Sequence, residues 1–137
     1  MSTRSRIGCT QCDGTIKSVY CHSDGYLDGV GKTLLESYCD PTKIDALIAL
    51  GDLSSLGSDL LFNTQAYMRD RSETGCEAIE SLNVTAFIEV ADGSDAEYAY
   101  LWADSQWTVW SSSGLCNADA NNGLHLTAAV VAEVLES

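Results

Sequence analysis

The chain has 137 residues, with 45% hydrophobic and 20% charged side chains, one Pro and eleven Gly. That is long enough to bury a core, and it excludes disorder and low complexity. The net charge of −13, from seven basic and twenty acidic residues, argues against general nucleic-acid binding, which requires a basic footprint. It leaves three roles for the acids: solubility, imitation of a phosphate pattern, or the surroundings of a small basic pocket. No run approaches the roughly 18 apolar residues of a membrane helix, and "MSTRSRIGC" has no apolar stretch of a secretory signal. A cytoplasmic protein with one α+β domain over 1–137 is expected.

In chain order, residues 4–21 read as a β-hairpin turning at Asp13-Gly14. A two-residue loop there places Cys9 opposite Ser18 and Cys21 opposite Arg6. "HSDGYLDGVGKT" reads as a loop. Val30, Leu34, Leu35 and Tyr38 then form one helical face. In "DPTKIDALIALGD", Asp40 is a good N-cap, Pro41 suits the first helical position and Gly51 suits C′. Residues 52–65 read as mixed loop, and "TQAYMRDRSETG" as a strand ending in a loop. "CEAIESLNVTAFIEVADG" leans helical in its first half and alternates like a strand in its second. "AEYAYLWADSQWTVW" is a second hairpin, turning in "ADSQ", with Tyr98, Tyr100 and Trp102 on one face. "LHLTAAVVAEVLES" suggests a C-terminal helix that is buried or packed on a second subunit. Strands, helices, strands and a helix in that order give two antiparallel hairpins with short helices between them.

Several chemical motifs fail. "CTQC" followed by Cys21-His22 suggests zinc, but Cys9 and Cys12 differ by an odd number and point to opposite sheet faces. Free thiols are expected, and neither metal nor cofactor. "GVGKT" lacks the first glycine of a phosphate-binding loop, because Tyr26 occupies its position, and Leu34 breaks the dinucleotide fingerprint. Cys21 and His22 are strand neighbours facing opposite ways, and His125 sits in an apolar run. No nucleophile–base pair stands out, so no enzyme is expected.

The four arginines occur in two pairs, Arg4/Arg6 and Arg69/Arg71. On strands each pair would share a face, with Cα atoms about 7 Å apart, and guanidinium forks suit phosphate. Solvated ion pairing with neighbours such as Asp70 and Glu73 is the plainer alternative. Tyr100, Trp102 and Trp107 on the second hairpin could stack on a base, although rings alternating on strands are commonly core.

The strings "MSTRSRIG", "DGTIKSVYCHSDGYLDGVGKTLLESYCDPTKIDALIALGDLSSLG", "YMRDRSETG" and "EYAYLWADSQW" resemble a family of small phage proteins, the Thoeris anti-defence sponges. The resemblance spans roughly residues 1–110 and has no counterpart for the tail. It implies a homo-oligomer, a dimer or multiple of dimers, that does no chemistry. Such a protein traps cyclic ADP-ribose isomers in the host bacterial cytoplasm during infection, and some members also bind cyclic oligonucleotides at a separate site. It implies that the arginine pairs, Arg4/Arg6 and Arg69/Arg71, meet pyrophosphate or phosphates and that an aromatic ring stacks on adenine, a role that the reading of the second hairpin gives to Tyr100, Trp102 or Trp107. The other reading is an acidic decoy that mimics nucleic acid and occupies a basic host defence protein.

Overall fold

The computed structural model describes residues 4–23, 25, 27–60, 63–94, 96–111 and 124–125. Strands β1 (Ser5–Thr10) and β2 (Ile16–Cys21) form the first hairpin. Its register differs by one residue from the expected one: Cys9 lies opposite Lys17, Ser5 opposite Cys21, and Arg6 opposite Tyr20. The loop has three residues, not two. Gln11 N–H donates to the Thr15 carbonyl, and Gly14 takes the left-handed conformation (φ +87°) that closes such a loop. Asp13 fixes the turn by accepting from the Thr15 N–H and hydroxyl.

A π-helical turn (Leu27–Gly31) leads into α1 (Lys32–Ser37), and α2 (Pro41–Ala49) follows. The α2 signals act as expected. The Asp40 side chain accepts from the Thr42 N–H, Pro41 opens the helix and Gly51 (φ +79°) stands beyond its end.

From residue 52 the elements differ from expectation. Leu53–Ser55 is β3 and Gln65–Ala66 is β4. The expected strand over 66–71 is instead the helix α3 (Tyr67–Arg71), whose start is fixed by Asp70 accepting from the Ala66 N–H at 2.8 Å. Residues 76–93 reverse the expected order, with β5 at Ile79–Ser81 and α4 at Val84–Gly93. Asn83 caps α4 by accepting from the Ala86 N–H. Phe87, Ile88 and Ala91 then share the buried face, a helical spacing that overrides the alternation of "VTAFIEV". Strands β6 (Tyr98–Ala103) and β7 (Gln106–Ser111) form the expected second hairpin, with Asp104 and Ser105 both at positive φ in its two-residue turn. Leu124–His125 is a short strand, β8, paired with β7. The rest of the expected C-terminal helix lies outside the described residues.

The architecture is α+β. The mixed sheet runs β4-β3-β2-β1-β6-β7-β8, with β5 also paired on β2 and β1 parallel to β6. One sheet face presents Ile7, Val19, Tyr100, Trp102, Trp107 and Val109 to α1 and α2, where Leu34, Ile44 and Leu47 are buried. The other face presents Ile16, Ala99, Leu101 and Trp110 to Phe87, Ile88 and Ala91 of α4. Among the described residues, no helix is long and apolar enough to cross a membrane.

Candidate functional site

The four arginines divide into two kinds. Arg6 lies on the α4 face of β1 and is only 2% exposed. Its Nε donates to Ser18 Oγ at 2.8 Å, Nη2 to the Ser18 carbonyl at 3.2 Å and Nη1 to Ser94 Oγ at 3.4 Å. It forms no ion pair with a described residue. Burial lowers its pKa, opposed by the more distant Asp52 charge. Arg69 is exposed, yet its donors are engaged. Nε and Nη2 clamp the two Asp70 oxygens at 3.0 and 2.9 Å, Nη2 reaches the Thr64 carbonyl at 2.7 Å and Nη1 the Leu60 carbonyl. Arg69 thus ties Leu60 and Thr64 to α3, and the Asp70 carboxyl is held below its usual range by Arg69 first and the Ala66 N–H second.

Arg69 and Arg71 do not share a face. Successive helical residues turn by about 100°, so neighbours two apart point nearly oppositely, whereas residues four apart align. Arg71 therefore lies over Tyr67, its guanidinium carbon 5.2 Å from the ring centroid. Arg71 is exposed and makes no hydrogen bond or ion pair with a described residue.

Arg4 precedes β1 and is half-buried. Its backbone carbonyl accepts from the Glu97 N–H. Its charge acts on the Tyr20 phenol, as does the neighbouring Tyr67. Burial raises the Tyr20 pKa, Arg4 lowers it, and Tyr67 raises it further. Tyr20 and His22 alternate on β2 and its continuation, their rings 6.0 Å apart, with the Tyr20 hydroxyl 2.9 Å from His22 Nδ1. Asp52 fastens these elements together: its Oδ1 accepts from the Tyr20 N–H and its carbonyl from the Tyr67 N–H. Arg71 thus lies on Tyr67, Asp52 ties Tyr67 to Tyr20, and the Arg4 charge acts on Tyr20. This cluster of two cations with half-buried rings can hold an anionic, aromatic molecule. Its members are far apart in sequence; the Tyr67-Arg71 spacing of four was a usable signal only once that stretch was known to be helical.

The three rings expected to stack on a base have other surroundings. Tyr100 is fully buried, and its hydroxyl donates to the Gly25 carbonyl at 2.7 Å. Trp107, 2% exposed, donates from Nε1 to the Tyr38 carbonyl at 2.9 Å. Trp102 packs on Trp107 with centroids 5.4 Å apart. All three belong to the core under α1 and α2, on the sheet face opposite Arg6. A ligand could reach them only by displacing those helices.

Among the described residues, no group of three or more His, Cys, Asp or Glu could hold a metal ion. Cys9 is buried, and its thiol is pushed up to about 11 by burial and then by the Asp45 charge, which keeps it protonated at neutral pH. Compared with known proteins, the chain matches no family model, no curated protein and no solved structure.

Proposed function

We propose that the protein is a non-enzymatic sponge that binds a small cyclic nucleotide signal and holds it without cleaving it. A cyclic ADP-ribose isomer is the class implied by the resemblance to phage anti-defence sponges. The observation that supports the reading is Arg71 lying over Tyr67, which Asp52 ties to Tyr20, where the Arg4 charge is felt. A pyrophosphate needs two separated cations, and a base needs a ring face. In this assignment Arg71 and Arg4 take the phosphates, Tyr67 or Tyr20 meets the base, and Arg6 and Arg69 support the scaffold. The cluster is half-buried in one protomer, and tight sequestration requires most of the ligand to be covered. A second copy closing over the cluster, in a homo-oligomer within the bacterial cytoplasm, supplies that cover.

The test is ligand release. Purified protein is incubated with cyclic ADP-ribose isomers and cyclic oligonucleotides, freed of unbound material, denatured by heat, and its cargo identified by mass spectrometry. The expected result is one intact nucleotide at near-stoichiometric yield. Arg71→Ala should weaken its retention by about 1–3 kcal/mol, roughly five- to 150-fold. Degraded product, or full retention by both Arg71→Ala and Arg4→Ala, would refute the assignment.

A further inference from the structure

We propose that the groove between α2 and β5 is a docking surface for an extended, lysine- and arginine-rich segment of a partner protein. It lies under α2, on the sheet face opposite the Arg6 side, and is independent of the nucleotide reading.

Three separate observations meet at residues 77–82. The first is a concave volume. A cavity of about 520 Å³ lies between Asp45, Ile48 and Ala49 of α2 and Glu77, Ala78 and Glu80. A second, of about 340 Å³, shares Lys17 and Glu80 with it and continues to Cys12 and Asp13 at the hairpin turn. The second is an open edge. β5 pairs with β2 on one side only and has no strand on its other side among the described residues. Such an edge accepts an added strand through its backbone N–H and C=O groups. The third is apolar exposure. The two large exposed hydrophobics of the described residues, Ile79 at 43% and Leu82 at 80%, flank this edge.

Charge selects the occupant. Asp13, Asp45, Glu77 and Glu80 line the two cavities against one ammonium, Lys17. An anionic nucleotide is repelled there. A second copy of this chain, at −13, is a poor fit for the same reason. An extended segment alternating basic and apolar side chains satisfies all three features. Its backbone pairs with β5, its cations enter the groove and meet the carboxylates, and its apolar side chains, on the other face of the added strand, meet Ile79, which alternates with the groove-facing Glu80.

The probe is a short fluorescent peptide alternating lysine and valine, with the whole chain as receptor and binding read by anisotropy at low and high salt. Asp45→Asn, Glu77→Gln and Glu80→Gln together should raise Kd about tenfold. A control with the same change in net charge, Glu89→Gln, Asp92→Asn and Asp104→Asn, should raise it less than about twofold. Bound peptide should slow alkylation of Cys12, which lines the groove, relative to the exposed Cys39. Equal weakening by both triple variants would show that bulk charge alone attracts the peptide and would overturn the proposal. So would equal binding of a serine–valine peptide, absence of binding at low salt, or self-association abolished by the groove variant alone, which would assign the groove to a second copy.

Discussion

Replacing Arg6 and Ser18 together should cost far less stability than replacing either alone. Arg6 is a buried cation with no carboxylate among the described residues in ion-pair contact, held by two bonds to Ser18 and a long one to Ser94. In Arg6→Met the buried charge disappears, but Ser18 Oγ, which is fully buried, loses its donor. An orphaned buried polar group costs about 1–3 kcal/mol. In Ser18→Ala the guanidinium keeps its charge and loses its shortest bond, for a cost of the same order, about 1–3 kcal/mol. In the double variant neither orphan exists, and an unbranched methionine can follow the arginine's path. Its stability should lie within about 1 kcal/mol of the parent, because removing both partners of a buried polar pair is often neutral. The coupling, the two single losses less that of the double variant, is then at least about 1 kcal/mol and about 3 kcal/mol at the middle of these ranges. Urea unfolding followed by tryptophan fluorescence is the assay, since Trp102, Trp107 and Trp110 are all buried. Additive losses in the double variant would refute the view that Ser18 is the principal support of this cation.

Other outcomes follow from single features. A Cβ on Gly8 would lie 2.8 Å from Phe87 Cε1 and 3.1 Å from Ile16 Cγ2, so Gly8→Ala should destabilise by about 1–3 kcal/mol, and Phe87→Leu in the same chain should relieve part of it, as read by denaturant midpoint. Asn83→Ala should cost about 1 kcal/mol through loss of the α4 cap. The Asp52 carboxyl titrates above its ordinary range, chiefly through burial, opposed by the Tyr20 N–H and Arg6. A raised folded-state pKa means its contribution to stability is present at low pH and is lost as pH rises through that pKa. Asp52→Asn keeps an oxygen for the Tyr20 N–H, so its stability relative to the parent should increase from pH 4 toward neutrality; a flat difference across that window would contradict the buried-carboxylate account.

The sequence was most legible where one signal was local and unopposed. Asp40, Pro41 and Gly51 delimit α2 without help from the rest of the chain, and the alternation of Tyr98 to Trp102 sets the faces of β6. It was ambiguous where two periods coexist. "VTAFIEV" alternates, yet Val84, Phe87, Ile88 and Ala91 also make a helical stripe, and the deciding feature was the Asn83 cap. The first hairpin was misregistered by one residue because Asp13-Gly14 is a sound two-residue turn in isolation, while Gln11 and Thr15 close a three-residue loop. The core role of Tyr100 and Trp107 follows from α1 and α2 lying over that face, which no local pattern of β6 or β7 records.

The pairing of the arginines has a geometric explanation, and it yields a division of phenotypes. Arg4 and Arg6 share one side of the first strand and its lead-in, but Arg6 lies under α4 and Arg4 at the strand's end beside Tyr20. Arg69 and Arg71 are two apart on a helix, so one turns to the Leu60 and Thr64 carbonyls and the other onto Tyr67. In each pair one guanidinium holds the protein together and the other borders the Tyr20–Tyr67 cluster. Alanine at Arg6 should therefore lower the unfolding midpoint, and alanine at Arg69 should loosen Leu60 and Thr64, read as faster amide exchange there. Alanine at Arg71 removes one cation–π contact, worth about 0.5–1 kcal/mol at an exposed site, so thermal stability should barely change while nucleotide retention falls. Arg4→Ala belongs with Arg71→Ala if a single ligand spans the cluster. Retention lost in Arg69→Ala but kept in Arg71→Ala would reverse the division and move the anion site to the Thr64 side of α3.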